Sequence, residues 1–135
     1  MNISLREWIA DHEGFRSKVY EDTVGKKTLG FGRNVSDLGV TLEEAYYLLG
    51  NDINRCVKEL EHYHWYNRSP CGVQEALVNM CFNLGLPRLI KFKNMIKALE
   101  GGNYNLAALE ALDSVWAKQV GDRAKDIASV IRDGR

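Results

Sequence analysis

Read for where its apolar residues fall, the chain changes character twice. Ser4-Leu-Arg-Glu7 has the form of a capping box, in which a hydroxyl and a glutamate three residues on satisfy each other's backbone N–H groups. Leu5, Trp8 and Ile9 follow at helical spacing. A short helix is predicted to about His12, stopped by Gly14, with Glu13 at its C-terminal end. Residues 16–21 and 27–32 then read as a β-hairpin: Val19 alternates with charged neighbours, Thr23-Val24-Gly25 makes the turn, and Thr28, Leu29 and Phe31 resume the strand. Gly30 and Gly32 weaken that second strand, which points to another backbone or a ligand coming close. Residues 34–39 read as a polar loop with room for a very short strand at most.

From Thr41 the period becomes helical and stays so. Thr41-Leu-Glu-Glu44 is a second capping box, and Ala45, Leu48, Leu49, Ile53, Cys56, Val57 and Leu60 keep an apolar face. About twenty residues at 1.5 Å each make a rod of roughly 30 Å. The segment 62–70, HYHWYNRSP, carries a turn, and Ser69-Pro70 reads as a cap with proline in the first helical turn. Val73, Ala76, Leu77, Met80, Cys81 and Leu84 form the next apolar face, ended by Gly85. Further helices are predicted at about 89–100, 104–113, 115–119 and 122–132, with no strand in the second half. The expected class is α+β, mostly helical. One domain over 1–135 would comprise an N-terminal α+β lobe (1–41) with the hairpin, a long connecting helix (42–64) and an all-helical lobe (65–135), with a cleft where the lobes meet.

Composition narrows the class without naming a chemistry. At 135 residues, 45% hydrophobic and 27% charged, the chain has the make-up of a globular domain, and disordered and fibrous classes are excluded. No apolar run reaches the length of a membrane span, and the N-terminus lacks the basic region, apolar region and cleavage site of a secretory signal, so synthesis in the cytoplasm is expected. The formal charge is zero, with a net of −3 over 1–64 and +3 over 65–135. That bias is too small and unclustered for a nucleic-acid face. Cys56, Cys71 and Cys81 form an odd set without a CxxC pair and read as reduced, small hydrophobic residues.

Chemistry gathers at 13–33, where Glu13, Asp22 and Thr28 come from three backbone segments. A helix C-terminus is the negative end of the dipole, so an ionised Glu13 is disfavoured there and the protonated form favoured. At a hairpin turn, backbone N–H groups can hold Asp22 ionised. Two carboxyls pushed apart in this way suit glycoside hydrolysis, one as acid and one as base or nucleophile. Thr28 could share a water with Asp22. The spacing alone does not separate this from a turn cap, a solvated glutamate and a strand former.

The surrounding residues do. Glu13-Gly14-Phe15-Arg16, Tyr20-x-Asp22-Thr23-x-Gly25 and Thr28-x-Gly30-x-Gly32 closely resemble the signature of T4-type phage lysozymes, endolysins of glycoside hydrolase family 24. Asn79-Met80-Cys81-Phe82-Asn83-Leu84-Gly85 resembles that family's helix facing the cleft, and Phe92, Trp116 and Arg123 fall where its C-terminal lobe has Phe, Trp and Arg. The resemblance implies a lysozyme-like fold and an inverting cleavage of the β-1,4 bond between N-acetylmuramic acid and N-acetylglucosamine in peptidoglycan. Glu13 would be the general acid, with Asp22 and Thr28 positioning the attacking water. Phe82 and Asn83 would line the far wall, Asn34 the hairpin side, and Arg123 would approach the acid. No metal and no cofactor is expected.

It further implies a monomer whose partner is the peptidoglycan glycan strand, neither nucleic acid nor membrane. The protein would be made in a host cytoplasm and act in the periplasm in host cell lysis, reaching the wall through a lesion such as a holin pore. Use as a tail component or secreted effector is a close variant, and a glycan-binding module that does not cut is the competing class. Departures from the family pattern are Arg33 where many members have His, read here as paired with Asp52; the short 34–40 loop; and Val120 near Arg123. His62 and His64 lack a third ligand. Trp8 and Trp116 read as core, whereas Trp65 is left between an exposed sugar platform and an interlobe hinge.

Overall fold

The computed structural model describes residues 3–135. Its elements run α1 (Leu5–Glu13), β1 (Arg16–Glu21), β2 (Lys27–Gly30), β3 (Arg33–Asn34), α2 (Val35–Leu38), α3 (Leu42–Leu60), α4 (His64–Asn67), α5 (Cys71–Leu84), α6 (Leu86–Leu89), α7 (Lys93–Glu100), α8 (Tyr104–Leu112), α9 (Val115–Val120) and α10 (Asp122–Asp133). The chain is α+β and mostly helical, with one three-stranded antiparallel sheet in the order β1-β2-β3. It divides into two compact units, Met1–Tyr47 and Leu48–Arg135.

The Thr41–Glu44 capping box forms in full, and the Ser4–Glu7 box only in its hydroxyl half. Ser4 Oγ accepts from the Glu7 N–H at 3.1 Å. Thr41 and Glu44 satisfy each other, Glu44 N–H to Thr41 Oγ1 at 3.1 Å and Thr41 N–H to Glu44 Oε1 at 2.8 Å. Gly14 ends α1 at φ 72°, its N–H on the Ala10 carbonyl. Across the sheet Tyr20 faces Thr28 and Thr28 faces Asn34, so these three share one face.

Among the described residues of the first unit, Thr28 alone is buried. Trp8, expected in the core, is 53% exposed and lies beside His12, ring centroids 5.6 Å apart. Helical spacing marks a face; it does not supply something to cover it. Arg33 pairs with Glu44 (3.0 Å) and donates to the Gly39 carbonyl (2.9 Å), not with Asp52, which lies beside Arg55 one turn along α3. The expected loop at 34–39 contains a helical turn, because Asn34 caps it: its Oδ1 accepts the Asp37 N–H at 3.1 Å. The signal was an Asn-x-x-Asp pattern that a capping reading would have caught.

The second unit has an apolar core built on α5, α7, α8 and α10, with Leu60, Val73, Leu77, Leu89, Leu99, Ala107, Ala111 and Ile131 at zero exposure. Trp65 is buried at 5%, against Tyr63, which removes the exposed-platform reading. The helix predicted to 64 stops at Leu60, and α4 begins at His64. Ser69 is not the α5 cap; its hydroxyl donates back to the Trp65 carbonyl at 2.7 Å, and Pro70 takes the cap position. The helix predicted at 89–100 starts only at Lys93, and a separate short helix, α6, precedes it at Leu86–Leu89. The helices at 104–112, 115–120 and 122–133 lie where the periodicity put them.

Cys56 and Cys81 are buried and Cys71 is exposed. Burial, and after it the neighbouring Cys56, pushes the Cys81 thiol up to about 12. A thiolate-directed reagent at neutral pH is therefore expected to titrate one thiol in the native protein, Cys71, and all three after unfolding. Reaction of two or three thiols before unfolding would contradict the buried assignments.

Glu44 also carries a pH signature. The Thr41 N–H and then its hydroxyl, with Arg33 contributing least, hold its carboxyl below the ordinary 4.5. A folded-state value below the unfolded one means stabilisation present above about pH 4.5 and lost as pH falls through the folded value. Thermal melts from about pH 5 down to about pH 3 should show the wild type losing more stability than Glu44→Gln. Parallel curves would remove Glu44 from the acid response.

Candidate functional site

The first unit brings the three polar residues singled out in the sequence onto one small framework. The ring of bonds starts at Asp22. Its Oδ1 accepts from the Val24 N–H at 3.0 Å and the Lys26 N–H at 2.9 Å, an Asx-type turn that folds the hairpin tip onto the carboxylate. Its own N–H donates to the Lys26 carbonyl at 2.9 Å, and Gly25 N–H returns to the Asp22 carbonyl at 3.0 Å. That same Lys26 carbonyl accepts the Thr28 hydroxyl at 3.2 Å. Asp22 and Thr28 are thus referred to a single backbone residue. Oδ2 of Asp22 takes part in none of these bonds, and the Thr28 hydroxyl keeps its lone pairs.

Glu13 reaches the turn between β2 and β3 from α1. A Cβ placed on Gly32 would lie 2.5 Å from Glu13 Oε2, so the carboxyl rests over the glycine backbone. Gly32 also has φ +75°, which L side chains rarely adopt. The glycine that looked like a weakness in the strand is therefore where the glutamate sits. Phe15 and Phe31 pack beside it, centroids 5.5 Å apart.

The remaining candidates divide. Asn34 stands opposite Thr28 in the sheet, but its amide is engaged with Asp37, donating to Oδ2 at 2.9 Å while capping α2. In the second unit, Phe82 and Arg123 border a groove of about 540 Å³ together with Asn79, Val78 and Ile53. Arg123 is held there by Asn79, whose Oδ1 accepts from Nε at 3.0 Å and from an Nη at 2.8 Å. Asn83 is not on that groove; it accepts the Trp116 indole N–H at 2.8 Å, and Trp116 meets Phe92 edge-on at 6.1 Å. The sequence reading missed Lys26, Asp37 and Asn79, whose roles depend on partners 4, 11 and 44 residues away. Among the described residues no group of three His, Cys, Asp or Glu side chains could hold a metal.

The pattern of the phage lysozyme family matches residues 10–132. The chain belongs to the phage lysozyme family. The domain is accordingly a lysozyme-type glycoside hydrolase with the lysozyme fold. It is 28% identical to the pre-baseplate central spike protein Gp5 of Enterobacteria phage T4 over 165 aligned residues, 98% of this chain but 28% of that protein. It is 25% identical to the probable T4-type lysozymes 2 and 1 of Dictyostelium discoideum, each over 164 residues covering 99% of this chain and 96% of theirs.

Gly32→Ala should cost the phage lysozyme domain about 1–3 kcal/mol through its positive φ. It should also move the Glu13 carboxyl, read as a displaced side-chain carboxyl resonance in NMR. An unchanged Glu13 resonance would show that the two residues do not touch.

Proposed function

We propose that this domain is a muramidase that hydrolyses the β-1,4 bond between N-acetylmuramic acid and N-acetylglucosamine in bacterial peptidoglycan, with inversion. In this reading Glu13 protonates the glycosidic oxygen as the bond breaks. Asp22, as general base, and Thr28 hold the water that attacks the anomeric carbon from the opposite face. Inversion asks for two carboxyls about 6.5–9.5 Å apart, with a water between the base and the sugar. Phe82 and Arg123, on the groove of the second unit, contribute to holding the glycan, whereas the Asn34 and Asn83 amides are engaged with Asp37 and Trp116.

The observation that carries the reading is the shared anchoring of Asp22 and Thr28 on Lys26, with the Glu13 carboxyl brought against Gly32 in the turn that follows β2. A base must be oriented before it can orient a water, and two backbone N–H bonds to Oδ1 do this for Asp22 while leaving Oδ2 for the water. The Thr28 hydroxyl donates its hydrogen to a carbonyl, so its oxygen remains able to accept. A glycan-binding module has no need of a carboxylate oriented in this way.

Family membership is what supports a role in host lysis. The chain would be made in the host cytoplasm and reach the wall through a membrane lesion such as a holin pore, acting as a monomer without a cofactor.

Glu13→Gln keeps the size and hydrogen-bonding shape of the side chain and removes the proton donor. Loss of a positioned general acid costs about 10²–10⁴-fold. Reducing ends released from permeabilised Gram-negative cells should fall by that factor, with the melting temperature preserved and wall binding retained. Release of reducing ends at the wild-type rate would overturn the assignment of Glu13. Wall binding by the wild type with no reducing ends would leave only a binding module.

A further inference from the structure

The bonds around Asp22 and Thr28 do not end at Lys26. The Lys26 ammonium crosses to α2 and donates to Asp37 Oδ1 at 3.0 Å. One residue along, the Lys27 N–H donates to Ser36 Oγ at 2.8 Å. Asp37 is itself oriented by Asn34, which donates to its other carboxylate oxygen and caps its backbone. The hairpin tip, otherwise solvated, is thus tied at two adjacent residues to a single helical turn.

The Lys26–Asp37 pair is about half exposed on both sides, 44% and 53%. Exposed ion pairs contribute little to stability. What this one can do is geometric. Lys26 supplies the N–H that holds Asp22 and the carbonyl that holds Thr28, so a displacement of its backbone moves both groups together.

We propose that Asp37 and Ser36 are positioning residues: through Lys26 and Lys27 they set where the Asp22 carboxylate and the Thr28 hydroxyl stand. The inference rests on the reading of Asp22 and Thr28 as the pair that positions the water. It assigns a catalytic purpose to the 34–39 turn, which stands where a plain connecting loop was expected. Releasing the clamp leaves the substrate surface in place but lets the attacking water drift from its line, so the loss falls on turnover rather than on binding.

The test uses the full chain and soluble peptidoglycan fragments, with kcat and KM determined from reducing ends. Asp37→Ala and Lys26→Met should each lower kcat about tenfold, KM staying within about twofold and the melting temperature within a few degrees. The double variant should be no worse than the poorer single one, since both remove the same bond.

Wild-type kcat in Lys26→Met or an additive double variant would overturn the proposal. Lys26→Met alters one exposed side chain and keeps its backbone, so it carries the test alone if Asp37→Ala does not fold. Glu13→Gln is measured beside them. Full activity in Glu13→Gln would sink the underlying catalytic reading. An inactive Glu13→Gln with normal clamp variants would remove only the positioning role.

Discussion

The backbone of Lys26 is the point on which the first unit depends. Its N–H and carbonyl serve Asp22 and Thr28, and its side chain reaches α2. This concentration has a physical cause. Thr28 is the one buried residue among those described up to Tyr47, so apolar packing does little to define that unit. Its shape comes from directional bonds instead: the Asx turn at Asp22, the capping of α2 by Asn34, and Arg33 bridging Gly39 and Glu44. A hydrogen bond contributes modestly to stability but constrains distance and angle closely. For the water-positioning role proposed for Asp22 and Thr28, the constraint matters more than the free energy.

The second unit is organised the other way. Its helices close over fully buried leucines, alanines and isoleucines, and few polar groups enter that core. Where polar side chains do meet, they fix aromatic or cationic groups at the surface of the core. Asn83 holds the Trp116 indole and Asn79 holds the Arg123 guanidinium. Both asparagines come from the last turns of α5, the segment whose Asn-Met-Cys-Phe-Asn-Leu-Gly resembles the family's helix. An arginine tied in two places by one amide loses much of its rotamer freedom before any ligand arrives.

Sequence reasoning failed at particular residues for two reasons. Trp8 reads as core from its spacing, but spacing reports only that residues share a face. Trp8 has the His12 ring beside it and stays half exposed, while Trp65 is buried against Tyr63. Arg33, Ser69 and the 34–39 segment failed through competition among bonding partners. Arg33 had two carboxylates in plausible reach along the sequence and took Glu44, whose other oxygen already caps α3. Ser69 had a free N–H to cap and bonded instead to a carbonyl four residues back. Such choices depend on the positions of both partners.

What the sequence determined by itself was local: where α1 and α3 begin, from the Ser4 cap and the reciprocal Thr41/Glu44 pair; where α1 and α5 end, from glycine; and the hairpin, from alternation around Thr23-Val24-Gly25. The 13–32 signature also pointed to Glu13, Asp22 and Thr28, and the family match agrees with that signature's origin. These hold because caps, turns and periodic faces are settled within about four residues of chain. The tertiary structure decided what lies further apart: the Glu13 carboxyl over Gly32, Lys26 on Asp37, Arg123 on Asn79 and the indole of Trp116 on Asn83. Each joins groups 11 to 44 residues apart, and nothing in the local pattern of either partner specifies the other. A side-chain bond across that separation forms only after the backbone has brought both groups within about 3 Å, and that placement belongs to the fold as a whole.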